Sequence, residues 1–317
     1  MKTIVRFNVW IVVVLVCIAF TAFAYKKTDE ANKSTTKTAR AVKTASEGDF
    51  EVALTEDGTG VRIRRYNGSI MNIAIPATIQ GMPVREVDGF DKSNVINVVI
   101  PEGVTLISAR AFQSCEQLVQ VTLPSTITEI GVEAFASCAQ LAKINIPQGI
   151  TKIRSKAFKD CASLGSITLP ESLVDLGHEV MHYGGNRDQG YVFHNSGLTA
   201  IVWPKSLTEI PIYTFYGCGS LASVTLPEGL TYIGESAFAQ SGLGSISLPS
   251  TIRNIRRKAF SICNALITVT IPNSVENIDF QSSYWGSGSG DDEFDGSPNV
   301  NLASQAALKK VGYRGMF

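Results

Sequence analysis

The sequence predicts a repeat solenoid of about nine coils, on three observations. A strand-like phrase ending in proline returns at Pro101, Pro124, Pro147, Pro170, Pro204, Pro227, Pro249 and Pro272, with a looser first copy at Pro76. A phenylalanine follows the proline by eleven residues in six copies: Phe112, Phe135, Phe158, Phe215, Phe238 and Phe260. A cysteine then follows three residues on, at Cys115, Cys138, Cys161, Cys218 and Cys263. Units repeating at such a period cannot bury their apolar faces alone and must stack.

Within one copy, Val121-Thr122-Leu123 alternates as a short strand, with Thr122 facing away from its apolar neighbours. Pro124 ends it, because proline cannot donate to a ladder. Ile127 and Ile130, three apart, suit either a tight helical turn or an extended arc, and Gly131 allows a bend. Glu133–Ala136 can form one short helical turn. Stacking would bring the phenylalanines into one interior column, each ring contributing roughly 1.5–3 kcal/mol before entropy. Where Ser93, Ser196 or Ser241 replaces cysteine, the next apolar residue arrives one position early, while Ser297 keeps the longer spacing. That coupling points to buried, unpaired thiols, with disulfides between neighbouring coils as the alternative. No Cys-x-x-Cys pair suggests a metal, and no cofactor is expected.

The ends read differently. Residues 1–24 read as an export signal: Lys2 and Arg6, the apolar run Val9–Phe20, then Ala22-Phe23-Ala24. Cleavage after Ala24 is the first reading; a retained membrane anchor and a lipid on Cys17 are the alternatives. Residues 25–48, rich in Lys, Thr, Ala and Ser, read as a disordered linker. Residues 49–75 alternate around Asp57-Gly58-Thr59-Gly60 and predict a β-hairpin cap over the first coil. The repeats are placed at 76–300 and a helical cap at 301–317, with apolar spacing from Leu302 to Val311. With 28 basic and 28 acidic residues, the chain shows no nucleic-acid footprint.

Two copies are stretched, near 178–190 and near 281–293. The first insertion contains His178-Glu179-Val180-Met181-His182, which matches the zinc-protease signature. Glycines 184, 185 and 190 stop any helix that could hold both histidines on one face, so an ordinary loop is the preferred reading. Adventitious metal binding and a metallohydrolase are the alternatives. Gly286–Gly290 followed by Asp291, Asp292, Glu293 and Asp295 does not fit the EF-hand spacing and reads as a flexible acidic loop, with weak Ca²⁺ binding as the alternative.

The phrases Leu118–Pro124 and Ile130–Cys138 resemble the BspA-type leucine-rich repeat, over about residues 70–300. Asp49–Gly81, with Gly81-Met82-Pro83-Val84, resembles the segment that often precedes such repeats. The resemblance implies a horseshoe or arc with a parallel sheet on one face. It also implies a cell-surface protein that adheres to host or microbial partners, with no catalytic residues to carry over. An exported, non-catalytic recognition module bound to a protein ligand on a host or neighbouring cell is therefore expected. It would lie at the cell surface, in the periplasm or outside the cell, touching membrane only through an uncleaved amino-terminal segment. An envelope scaffold that self-associates is the alternative. Candidate contacts are the outward strand positions Thr122, Asn145, Thr168, Val202, Thr225, Ser247 and Thr270. Thr and Ser also suit exposed strand sites for their own sake. Tyr213 and Tyr216, flanking Phe215, are candidate aromatic anchors or simple packing, whereas Trp203 is in phase with Leu123 and reads as core.

Overall fold

Each coil closes through three walls, and each wall has its own hydrogen bonds to the next coil. A computed structural model describes residues 42–177, 190–278, 297, 299 and 301–310. The first wall carries the strands that end at proline. Asn72–Ala74, Asn97–Val99, Gln120–Thr122 and Lys143–Ile144 form one parallel sheet. Ala200–Val202 then pairs with Ser223–Thr225, and Ser245–Ser247 with Thr268–Thr270. The register is in phase, with Val98 opposite Val121 and Val121 opposite Ile144, so inward side chains stay inward from coil to coil.

The second wall resolves the ambiguity around Ile127 and Ile130. Glu129–Ile130 is extended and pairs in parallel with Leu106–Ile107 on one side and Lys152–Ile153 on the other. A second ladder therefore joins the expected sheet on one face. It continues from Glu209–Ile210 through Tyr232–Ile233 and Asn254–Ile255 to Asn277–Ile278. Each coil gives its inward isoleucine or leucine to the core, as at Ile107, Ile130, Ile153, Ile210, Ile233 and Ile255.

The third wall corrects the expected helical turn at Glu133–Ala136. Those residues form overlapping reverse turns, closed by Ala134 N–H to Gly131 O and Ala136 N–H to Glu133 O. Two residues per coil, two before and two after the phenylalanine, hold positive φ: Glu133 and Ser137 about Phe135, Lys156 and Asp160 about Phe158, Ser236 and Gln240 about Phe238. The reason is hydrogen bonding. A helix spends its N–H groups within its own turns. Alternating left-handed residues instead aim every second N–H at the next coil. Glu133, Phe135 and Ser137 thus donate to Ser155, Ala157 and Lys159. A non-glycine left-handed residue costs about 1–2 kcal/mol, which a net hydrogen bond of about 0.5–1.5 kcal/mol and ring burial offset.

The predicted ring column exists and is fully buried. Phe112, Phe135, Phe158, Phe193, Phe215, Phe238 and Phe260 stack at centroid separations of 5.2 to 5.8 Å. Phe193 keeps the phase although 35 residues separate it from Phe158 in the sequence, because Gly190 N–H closes onto Gly177 O at 2.7 Å and returns the chain to the coil. Cys115, Cys138, Cys161, Cys218 and Cys263 are buried and unpaired. Their Sγ atoms donate to the phenylalanine carbonyl of the preceding coil, as from Cys138 to Phe112 O at 3.0 Å, and Ser297 Oγ does the same for Phe260 O at 2.9 Å. Burial pushes the Cys161 thiol up to about 12 and the Cys218 thiol up to about 11.

At the amino-terminal end Phe50–Leu54 and Val61–Tyr66 form an antiparallel hairpin, and Val61–Tyr66 extends the second wall by pairing with Met82–Val87. The Tyr66 ring stacks on Phe90, which continues the column. Asp57 stabilises the hairpin loop: its hydrogen bonds from Thr55 and Thr59 hold its carboxyl at about 2. Ordered structure begins before residue 49, inside the segment whose composition suggests linker. Lys43–Thr44 already pairs with Ile73–Ala74, and Ala45 is buried. At the other end the helix Leu302–Lys310 starts at Asn301, whose Oδ1 accepts the Ser304 N–H at 2.9 Å. Ser304 Oγ in turn accepts the Val269 N–H, which closes the last strand of the first wall. No described helix is long and apolar enough to cross a membrane; the apolar run Val9–Phe20 lies outside the described residues.

Candidate functional site

The first wall presents two outward columns. From the fifth repeat onward they are Ser166, Ala200, Ser223, Ser245 and Thr268, and Thr168, Val202, Thr225, Ser247 and Thr270. All ten are exposed and none is charged. The hydroxyls of Thr122, Thr168, Thr225, Ser247 and Thr270 make no hydrogen bond among the described residues. The second wall behaves oppositely. There Thr128, Thr151 and Thr231 donate their hydroxyls to the backbone of the preceding coil at 3.1 to 3.2 Å. These three hydroxyls of the second wall are thus spent on the fold, whereas the five named on the first are not; Thr268, in the other outward column, accepts the Asn301 amide at 3.2 Å.

Asn145 departs from its neighbours in this column. Its Oδ1 accepts the Leu123 N–H at 2.8 Å and its Nδ2 donates to Leu123 O at 3.0 Å. The side chain thus makes the contact that a backbone carbonyl makes elsewhere, as where Ile100 N–H bonds Thr122 O. Beyond it the ladder is interrupted. Residues 166–169 form no strand and make no ladder bond to either neighbouring coil among the described residues. Pairing resumes at Ala200–Val202 with Ser223–Thr225, and breaks again before Ser245–Ser247, which among the described residues pairs only with Thr268–Thr270.

Tyr213 and Tyr216 sit on the third wall, half-buried, and each has a ring partner that sequence reasoning missed. Tyr213 stacks on Tyr191 at 4.5 Å, and Tyr216 on His194 at 5.0 Å. The signal was present in the phase, since Tyr191 and His194 stand to Phe193 as Tyr213 and Tyr216 stand to Phe215. The stack is tied to charged residues on either side. The Lys156 ammonium lies 5.7 Å from the Tyr191 ring centroid, and Glu133 pairs with both Arg110 and Lys156. On the far side Tyr213 reaches Glu235, which pairs with Arg257 at 2.6 Å. Burial, joined by the charge of Lys159, holds His194 below its ordinary pKa against the opposing charge of Asp160. Burial likewise raises the Tyr213 phenol.

The second wall carries a groove of about 530 Å³ lined by Arg62, Glu86, Glu129 and Arg154. Its charges answer one another: Arg154 bridges Glu129 at 2.7 Å and Asp175 at 2.9 Å, and Arg62 faces Glu86. The His178–His182 motif and the acidic run Asp291–Asp295 lie outside the described residues. Among the described residues no three metal-ligating side chains converge.

Comparison with known proteins accords with this architecture. The family model described as BspA type leucine rich repeat region matches in six copies, over residues 86–184 and 189–284. Among solved structures, the leucine rich repeat protein TpLRR of T. pallidum is 26% identical, with 86% of this chain and 98% of that one covered and a TM-score of 0.48. A leucine rich cell surface protein from Faecalibacterium prausnitzii is 21% identical, covering 88% and 100%, with a TM-score of 0.34. The pneumococcal vaccine antigen PcpA is 21% identical, covering 72% and 75%, with a TM-score of 0.38. No curated protein matches. With the repeat model spanning most of the chain, and with the stacked coils it describes present in the structure, this protein belongs to the BspA-type leucine-rich repeat family.

Proposed function

We propose that the chain is an exported, non-catalytic recognition module that binds a protein partner at the cell surface through its first wall. The observation that carries this reading is the division of labour between the walls. On the second wall Thr128, Thr151 and Thr231 use their hydroxyls in coil-to-coil bonds, whereas the hydroxyls of Thr122, Thr168, Thr225, Ser247 and Thr270 on the first make none among the described residues. A solenoid holds such a row rigid over many coils, so a partner meets it at little ordering cost. Export rests on the basic, apolar and small-residue order of residues 1–24.

Two measurements test the proposal. Antibody should reach the protein on intact cells. The purified chain should bind immobilised extracellular-matrix proteins or partner cells, and Thr122→Lys with Thr225→Lys should abolish that binding without lowering the melting temperature. Antibody exclusion, or binding that survives both lysines, refutes it. Asn145 is a poor choice for this test, because its amide bridges two coils.

A further inference from the structure

We infer that the interruption of the first wall at residues 166–169 is a socket for one aliphatic side chain of an extended, uncharged peptide segment. The inference rests on the reading of that wall as a protein-binding surface. Where residues 166–169 fail to pair, a cleft of about 240 Å³ opens across three coils, lined by Ile167, Leu169, Val202 and Pro204, with Thr168 and Thr225 at its sides. Ligand pockets for small molecules run to roughly 300–1,000 Å³, so this volume suits a side chain better than a cofactor. Its floor is apolar, since Ile167 and Leu169 are buried, while Val202 stands 67% exposed at the mouth. Val202 is the one large apolar residue in the two outward columns of hydroxyls and alanine.

The occupant follows from area and charge. A three-residue strand spans about 10 Å, and five coils at strand spacing rise about 20 Å, so the uncharged strip offers roughly 200 Å². A standard globular interface buries about 800 Å² on each partner. The strip therefore fits a single extended chain laid across the coils. No outward strand position from Ser166 to Thr270 carries a charge, so a segment charged along its length would lose water over most of the strip without meeting counter-ions. Glu171, at one edge of the cleft, already accepts the Lys205 N–H at 2.9 Å. Flanking hydroxyls supply hydrogen bonds and the cleft supplies the apolar anchor.

The test is selection of an unbiased library of linear dodecapeptides, displayed on phage, against the purified full chain. The expected result is an enriched set of uncharged sequences sharing one Leu, Ile or Val. Their affinity should fall about tenfold or more in Val202→Lys, the loss expected from forfeiting one buried aliphatic side chain. Val202 is exposed, so the substitution leaves the core intact, which a melting curve checks. No enrichment, charged consensus sequences, or peptides that bind Val202→Lys equally well each overturn the inference. Failure here is separable from failure of the wider reading. If cell or matrix binding is lost in Thr122→Lys with Thr225→Lys but kept in Val202→Lys, the wall binds and the socket does not. If neither change matters, the wall itself is not the contact.

Discussion

Phe158 sits near the middle of the ring column, fully buried between Phe135 at 5.6 Å and Phe193 at 5.8 Å. Two substitutions separate what its volume contributes from what its ring contributes. Phe158→Ala removes the ring and leaves a cavity, which costs about 3–5 kcal/mol. Phe158→Leu keeps most of the apolar burial and forfeits two aromatic pairs, each worth about 0.5–1.5 kcal/mol beyond area, so it should cost about 1–3 kcal/mol. The assay is equilibrium urea unfolding followed by circular dichroism, with the slope compared to show whether unfolding stays cooperative. Because each coil touches only its neighbours, the alanine variant should also broaden the transition as the two flanking arrays uncouple. If the leucine variant is as stable as the parent, ring stacking contributes nothing and the column is merely a volume requirement. If the alanine variant costs under about 1 kcal/mol, the column is not the core of the fold.

Two further outcomes are expected. Gly190 and Gly229 hold nearly equal positive φ, 106° and 105°, but a Cβ on Gly190 would run into the Ile212 carbonyl while one on Gly229 meets nothing within 4 Å. Gly229→Ala should cost about 1–3 kcal/mol for the backbone alone, and Gly190→Ala about 1–3 kcal/mol more; equal melting temperatures would contradict the close approach. His194 has its pKa lowered by burial, and its Nδ1 is buried with no described acceptor. Its contribution to stability is thus present above 6.5, its unfolded value, and is lost as pH falls through the lower folded value. Thermal melts of the parent and of His194→Gln should converge as pH falls below 6.5, and curves that stay parallel would show that His194 does not titrate against folding.

Much of this architecture was legible because the repeat is redundant. A single copy leaves Ile127 and Ile130 ambiguous, yet the common phase of Phe112, Phe135 and Phe158 can be met only by stacking. The candidate surface was legible in part. Strand alternation pointed Thr122, Thr168, Thr225, Ser247 and Thr270 outward, and they are partly or fully exposed. Alternation could not show that Asn145 turns its amide onto the Leu123 backbone, because that contact depends on the neighbouring coil. The same limit hid the thiol-to-carbonyl bonds. Coupling between the cysteine and its spacing marked the position as structural without revealing Phe112 O as the acceptor of Cys138.

Sequence by itself determined which side chains share a column, because the order of apolar, proline and glycine residues within one coil is local and each copy repeats it. It determined the coil length, the interior rings and the outward hydroxyls. Tertiary structure decided how backbone groups are shared between coils. Hydrogen bonding across a coil boundary joins residues more than twenty positions apart, as between Phe135 N–H and Ala157 O, and depends on how closely two coils approach. For that reason the left-handed turns, the second ladder and the break at residues 166–169 became visible only in three dimensions. At that break the first-wall backbone of one coil goes unpaired among the described residues, and the cleft lined by Ile167, Leu169 and Val202 opens beside it.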